Sequence, residues 1–235
     1  MKDGVYRWRR GVLVALAVIG VGITIVQSPD LWQRQSGMPA PQVAAVGAAA
    51  DALASLEIKG RAPKTDYSRS QFGDGWLMTS GCDTRNSILY RDLADVVVDE
   101  QCKVQRGLLH DPYTDHEIRF ERGETTSDDV QIDHVVALSN AWQTGAQQLS
   151  REERIRLAND PLELLAVDGV ANQQKSDSDA ASWLPPNKAF RCQYIARQIA
   201  VKQKYRLWVT QAEHDSMMRV LAGCPGQLLP VSSVP

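Results

Sequence analysis

The chain has 235 residues, of which 43% are hydrophobic and 23% are charged, and its formal net charge is −2. This length is typical of one domain with short additional segments, and the composition excludes a collagen-like chain, a disordered chain and a membrane protein with several spans. The charge also excludes a domain that binds nucleic acid mainly through bulk positive charge.

The N-terminal 27 residues combine a basic stretch with an apolar one. Four basic side chains precede an almost unbroken apolar run over residues 11–26. This order predicts a secretory signal peptide or an N-terminal membrane anchor, and both alternatives stay open because the run is at the lower limit for spanning a bilayer. Four of the 26 basic and one of the 28 acidic side chains lie in residues 1–27, so the remainder has a charge of about −5. We expect the domain to lie outside the cytoplasm, either secreted or anchored to the membrane. The N-terminal segment is expected to make any membrane contact.

The rest of the chain divides into three parts by composition. Residues 28–60 are rich in Ala and Pro and carry little charge, which predicts a linker that ends in a short helix. Residues 61–224 have the aromatic content and turn signals of one compact domain, and residues 225–235 are predicted to be a C-terminal tail.

The first half of the domain predicts strands with one helix. The segment "CDTRNSILYRDLADVVV" predicts a helix capped by Asp83 or Thr84, followed by a strand at residues 95–98. The segment "KVQRGLLHDPYTDHEIRFER" predicts a β-hairpin around an Asp-Pro turn. The segment "DDVQIDHVVAL" predicts a further strand and its exit.

The second half is dominated by helices. The segment "SREERIRLAND" predicts a short helix opened by a capping box of Ser150 and Glu153. The segment "LELLAVDG" predicts a second buried strand, "VANQQKSD" a helix start, and two longer helices follow at about 187–208 and 210–222. Strands first and helices last predict an α+β domain without alternating βαβ units.

Four cysteines occur in the chain, and none of them forms a C-x-x-C pair. The even number and the predicted export favour two disulfides over a zinc site. Three pairings are possible, and we favour the two local ones, which close short loops: Cys82 with Cys102, and Cys192 with Cys224.

One arrangement of polar residues is suited to chemistry. Asp133 and His134 are adjacent where a strand ends, and Asn172 and Lys175 lie three residues apart at a helix start. Residues at i and i+3 share a helix face, so these two side chains are expected to point into one space. Carboxylate and amide oxygens suit Mg²⁺, a histidine beside them suits a general base, and a lysine suits a phosphate contact. These are the parts needed for hydrolysis of a phosphodiester bond.

Several separated segments of the chain resemble the secreted bacterial HNH endonuclease family. They are "QIDHVVAL", "LELLAVDGVANQQKSD", "GCDTRN", "DPYTDHEIRF", "ANDPLELLAV", "ASWLPPNKAFRCQY" and "VKQKYRLWV". The HNH-like domain of that family is similar to one in GmrSD-type restriction enzymes, and the resemblance covers residues 61–224. The core is also similar to the HNH domain of RNA-guided CRISPR nucleases. That domain has an Asp-His pair followed by an Asn and, three residues later, a Lys.

The resemblance implies a ββα-metal fold, in which two strands and a helix surround one divalent ion. The expected ion is Mg²⁺, with Mn²⁺ as the alternative. It implies that His134 is the general base, that Asp133 and Asn172 are metal ligands, and that Lys175 is a catalytic residue that contacts the phosphate. Glu163 stands where the family has an Asn that braces the loop carrying the base. Glu163 is expected to brace that loop by accepting backbone hydrogen bonds, or else to alter the pKa of the base or the metal site through its charge. Arg85 is predicted to bind substrate, with helix capping as the alternative.

We therefore expect a metal-dependent endonuclease that cuts DNA, with RNA as a second candidate substrate and with a monomeric chain. The competing hypothesis is an extracellular binding or cell-envelope module that keeps the HNH fold but has weak or no catalysis. A local surplus of basic residues after the motif favours the enzyme: Lys175, Lys188, Arg191, Arg197, Lys202 and Lys204.

Overall fold

A computed structural model describes residues 45–230, and the structural statements that follow concern this part of the chain. The predicted signal peptide or anchor at residues 1–27 lies outside the described residues. Within the described part, no helix is long and apolar enough to cross a bilayer.

Residues 45–230 form short strands and helices that are interleaved along the chain. The strands are β1 (Ala45–Ala48), β2 (Met78–Thr79), β3 (Cys82–Asp83), β4 (Leu93–Val98), β5 (Val104–His110), β6 (Glu117–Glu121), β7 (Val130–His134), β8 (Leu164–Asp168) and β9 (Leu228–Pro230). The helices are α1 (Ala49–Ser55), α2 (Thr84–Asp92), α3 (Leu138–Gln143), α4 (Arg151–Ala158), α5 (Gly169–Lys175), α6 (Arg191–Lys204) and α7 (Gln211–Leu221). Small antiparallel sheets pair β1 with β9, β2 with β3, β4 with β5 and β6, and β7 with β8. The predicted mixed α and β fold is confirmed at this level.

Local sequence signals account for several of these elements. Asp83 caps α2 because its carboxylate accepts a hydrogen bond from the Asn86 backbone at 2.7 Å. The predicted capping box opens α4: Glu153 N–H donates to Ser150 Oγ at 3.1 Å, and Ser150 N–H donates to the Glu153 carboxylate at 3.0 Å. Both helix starts were therefore predictable from a few neighbouring residues.

The β5–β6 hairpin forms as predicted, and its turn folds back onto the domain. The buried Asp111 carboxylate accepts hydrogen bonds from Thr114 N–H at 2.7 Å and from Asp168 N–H at 2.8 Å. Asp168 is the last residue of β8, so this hydrogen bond attaches the hairpin turn to the end of β8. Tyr113 in the turn becomes fully buried as a result.

Strands β7 and β8 pair antiparallel over five residues, from Val130 opposite Asp168 to His134 opposite Leu164. Asp168 then caps α5 by accepting a hydrogen bond from Ala171 N–H at 2.6 Å, so that α5 begins directly where β8 ends and contacts both strands. Two hydrophobic clusters meet at this strand pair: Val130, Ile132, Leu164 and Ala166 belong to the smaller one, whereas Leu165 and Val167 of β8 belong to the larger one.

Both predicted end segments contribute elements to the folded body. Residues 28–44 of the predicted linker lie outside the described residues, but α1 belongs to the folded body, with Ala49 and Leu53 completely buried in the larger cluster. Strand β9, predicted as part of a tail, pairs with β1. Small alanine side chains allow α1 to pack closely against α6 and α7, and this use of low-charge, Ala-rich sequence imitates the composition of a linker.

Both favoured disulfides form. Cys82 bonds to Cys102 across 20 residues of sequence, and Cys192 bonds to Cys224 across 32, with no free cysteine in residues 45–230. The first ties the start of α2 to the β4–β5 turn, and the second ties the start of α6 to the end of α7.

Candidate active site

The site is built at the end of β7, where successive side chains leave the strand on opposite faces. Ile132 and His134 face the smaller hydrophobic cluster, whereas Gln131 and Asp133 face α5. The pair predicted from sequence therefore divides its contacts between two environments at one strand end.

His134 is buried, with 6% of its surface exposed. Its Nε2 lies 3.0 Å from the Ala158 carbonyl oxygen at the end of α4. Because a carbonyl oxygen only accepts, Nε2 carries the hydrogen in this contact and Nδ1 is the basic nitrogen. The Trp76 indole stacks on the imidazole with ring centroids 5.8 Å apart and planes 7° from parallel.

Burial lowers the pKa of His134 to about 3, and the nearby Arg69 guanidinium lowers it further, against the opposing effect of the Ala158 hydrogen bond. The imidazole is therefore neutral at pH 7. At that pH Nδ1 is free to accept a proton, but it is a weaker base than the ring nitrogen of a solvent-exposed histidine.

Lys175, predicted to contact the substrate phosphate, is surrounded by partners within the domain. Its side chain is 0% exposed, and Nζ donates to Asp133 Oδ1 at 2.9 Å and to the His134 carbonyl at 2.8 Å. Tyr113 donates its hydroxyl to the other oxygen, Asp133 Oδ2. Lys175 does not line the cleft, and its ammonium pairs with the Asp133 carboxylate.

Asn172 lies on the same face of α5 as Lys175, as the three-residue spacing predicted. Its Nδ2 donates to Gln131 Oε1 at 2.9 Å, which aligns α5 along β7. The Asn172 Oδ1 atom takes no hydrogen bond within residues 45–230. No group of three or more His, Cys, Asp or Glu side chains that could hold a metal ion occurs in this part of the chain.

Glu163 lies immediately before β8 and is completely buried. Its backbone carbonyl accepts from Val135 N–H at 2.8 Å, and its Oε2 accepts from Val136 N–H at 3.2 Å. These are the backbone hydrogen bonds expected of a residue that braces the segment after His134. Burial raises the pKa of the Glu163 carboxyl well above its ordinary value, and the Val136 hydrogen bond and Lys175 oppose that rise only in part.

A cleft of about 460 Å³ connects these groups to solvent. Asp133, His134 and Asn172 line it, together with the predicted substrate-binding residue Arg85. The Arg85 Nη2 atom donates to the Ser127 and Val130 carbonyls, both at 3.2 Å, so the side chain is fixed by contacts that lie outside α2 and does not cap the helix.

The predicted basic surplus after the motif does not form a basic face. Two of its members are buried lysines held by carboxylates, since Lys202 contacts Glu213 at 2.9 Å and Lys175 contacts Asp133. Arg197 donates to the Leu162 and Leu164 carbonyls and stabilises the segment before β8. The charge in the chain segment after the motif is thus largely structural.

Three residues of the site were not predicted. Trp76 and Arg69 line the cleft, and Tyr113 binds Asp133 from the hairpin turn. The sequence carries a weak signal for Tyr113, because a large aromatic residue inside a polar turn is expected to have a buried partner. Nothing local marks Arg69 or Trp76, because their proximity to His134 depends on long-range packing.

The fold and the site define a disulfide-braced domain of mixed α and β structure with a buried histidine and a carboxamide on one polar cleft. Residues 83–220 match the GmrSD restriction endonucleases, C-terminal domain. The match spans more than half of the chain, and the chain belongs to this family. The chain is also 36% identical over 187 residues to a protein of Arthroderma benhamiae described as an uncharacterized secreted protein, an alignment that covers 78% of this chain and 88% of that protein. The GmrSD part of the resemblance is confirmed, whereas a bacterial origin and secretion stay predictions.

Proposed function

We propose that the chain is a secreted, metal-dependent endonuclease that hydrolyses phosphodiester bonds, with DNA as the expected substrate and RNA as the second candidate. One observation carries the proposal: His134, held in a defined tautomer by the Ala158 carbonyl, lines the same cleft as Asp133 and Asn172. Membership of a restriction endonuclease family, the two disulfides and a secreted relative support it.

The donor atoms in the cleft fit a magnesium ion with few protein ligands. Each Asp133 oxygen accepts one hydrogen bond and keeps a further lone pair, and Asn172 Oδ1 takes no hydrogen bond within the described residues. Magnesium is commonly bound by one or two protein oxygens, with water and substrate phosphate as the remaining ligands. When bound, the ion supplies Lewis-acid stabilisation of negative charge at the phosphate and the leaving 3′ oxygen.

His134 then acts as the general base. Its Nδ1 accepts a proton from the water that attacks the phosphorus, while Nε2 continues to donate to the Ala158 carbonyl and the Trp76 ring keeps the imidazole plane fixed. Glu163 holds the Val135 and Val136 backbone, and so the segment after His134, without adding a charge while it is protonated. Because the 3′ oxygen is the leaving group, hydrolysis leaves a 5′-phosphate on one product, as the resemblance implies.

Plasmid cleavage by the purified protein tests the proposal. We expect cutting with Mg²⁺ or Mn²⁺, no cutting in EDTA, and at least a hundredfold loss of rate in His134→Ala. His116→Ala is the matched control, because His116 is exposed and lies outside the cleft. Titration calorimetry of Mg²⁺ should give the same affinity for His134→Ala as for the wild type, since the proposed role of His134 is that of a base and not of a ligand. Cleavage that survives His134→Ala would refute the assignment.

A binding module without catalysis is the second candidate. The observation that favours it is the enclosure of Asp133, whose two oxygens are both hydrogen bonded by buried partners and whose charge Lys175 neutralises. Retained nucleic-acid binding in a wild-type protein that cuts with none of Mg²⁺, Mn²⁺ or Ca²⁺ would select this candidate.

A further inference from the structure

The guanidinium of Arg69 lies at the cleft without an ion-pair or hydrogen-bond partner in the described residues. Arg69 begins the 3-10 turn Arg69–Phe72, is exposed, and its guanidinium makes no ion pair or hydrogen bond within residues 45–230. It lines the 460 Å³ cleft and also an adjoining hollow of about 130 Å³, and the same two spaces are lined by His134. Arg69 is therefore a free charge located beside the proposed base.

Neighbouring arginines of the same region are engaged in structure. Arg61 contacts Asp179 at 2.6 Å, Arg91 contacts Asp92 at 2.6 Å, and Arg154 donates to the Gln71 carbonyl at 3.0 Å. None of these three lines the cleft. The absence of a partner thus distinguishes Arg69 from arginines that stabilise the fold.

Arg85 supplies a second cation to the same cleft. One of its nitrogens is held by two backbone carbonyls, and no carboxylate lies within 4 Å of its guanidinium in the described residues. Each carboxylate that lines the cleft forms an ion pair with a lysine, Asp133 with the buried Lys175 and Asp177 with Lys64 at 3.1 Å. The cleft therefore has a surplus of positive charge although the chain is acidic.

We infer that Arg69 and Arg85 form a phosphate subsite that binds the phosphodiester backbone of the substrate at the cleft, the contact predicted from sequence for Lys175. The inference rests on the proposed nuclease function in naming nucleic acid as the ligand. A guanidinium matches a phosphate with two parallel hydrogen bonds, which a lysine cannot provide. Arg85 is fixed in advance, and Arg69, free of contacts, closes on the phosphate when it binds.

Fluorescence anisotropy of a labelled 20-nucleotide DNA, as single strand and as duplex, tests the subsite in EDTA so that no turnover occurs. Arg69→Ala should weaken binding about tenfold at low salt and reduce the slope of log affinity against log salt by about 0.7 for the single strand and about 0.9 for the duplex. Arg69→Lys should keep the slope and recover only part of the affinity. Arg219→Ala removes an exposed arginine on α7, away from the cleft, and should bind like the wild type.

The same variants separate this inference from the proposed function. Arg69→Ala should melt near the wild-type temperature, because the exposed Arg69 side chain makes no hydrogen bond or ion pair within residues 45–230, whereas Arg85→Ala also loses two backbone hydrogen bonds. Wild-type cleavage with unchanged binding and salt slope in Arg69→Ala would overturn the subsite alone. Loss of binding in Arg69→Ala with a wild-type protein that never cuts would support the subsite and refute the nuclease. A wild-type protein that shows no salt-dependent binding to either DNA would overturn both.

Discussion

Replacing Lys175 by Met distinguishes a structural lysine from a phosphate contact. Methionine has a similar length but no charge, so the variant leaves the Asp133 carboxylate in a buried position with Tyr113 as its remaining side-chain donor. It also removes the hydrogen bond to the His134 carbonyl. Breaking a buried ion pair from one side costs about 3–5 kcal/mol, because an uncompensated charge remains in the interior.

For a domain of this size, a loss of 1 kcal/mol lowers the melting temperature by about 2–4 °C, so Lys175→Met should lower it by about 6–20 °C. Thermal unfolding followed by circular dichroism under oxidising conditions measures the shift. The double variant Asp133→Asn with Lys175→Met should recover much of the loss, because both charges are then absent. Lys188→Met is the surface control, expected within about 0.5 kcal/mol of the wild type, since Lys188 is exposed. A Lys175→Met protein that melts like the wild type but cannot cleave would refute the structural role and restore the phosphate contact.

Three further predictions concern the groups around the site. Glu163→Gln should be more stable than the wild type at pH 7 and equal to it at pH 4. Because the pKa of Glu163 in the folded state is raised above 4.5, the contribution of this residue to folding stability is complete at low pH and is lost as the pH rises through the folded pKa. A lower melting temperature of the variant at pH 7 would contradict this. Tyr113→Phe should cost about 1.5–3 kcal/mol in urea unfolding, because the buried Asp133 oxygen loses its donor, and an unchanged midpoint would show that the hydroxyl is dispensable. Reducing the two disulfides, which span 20 and 32 residues, should remove about 3–4 kcal/mol each, and unchanged urea unfolding in dithiothreitol would show that the core alone holds the domain.

The elements that the sequence predicted well depend on neighbouring residues. The capping box of Ser150 and Glu153, the Asp83 cap, the β5–β6 hairpin and the two local disulfides are all decided by side chains close in the chain. The inner ends of the predicted linker and tail contain β1 and β9, which are stabilised by pairing with each other from opposite ends of the described chain. A short segment of that kind has no local pattern that separates it from a linker.

The candidate site likewise combines features that local sequence determines with features that depend on long-range packing. By itself, the sequence determined that Asp133 and His134 end a strand and that Asn172 and Lys175 share one face of α5, because strand alternation and helical periodicity are properties of the local backbone. Only the tertiary structure decided what each side chain does there. The hairpin turn brings Tyr113 to Asp133, so that Tyr113 and Lys175 both donate hydrogen bonds to the buried Asp133 carboxylate. The 3-10 turn brings Arg69 to the cleft beside His134. The physical reason is desolvation: whether a charged residue binds substrate or an internal partner depends on how much water surrounding elements exclude, and those elements are distant in sequence.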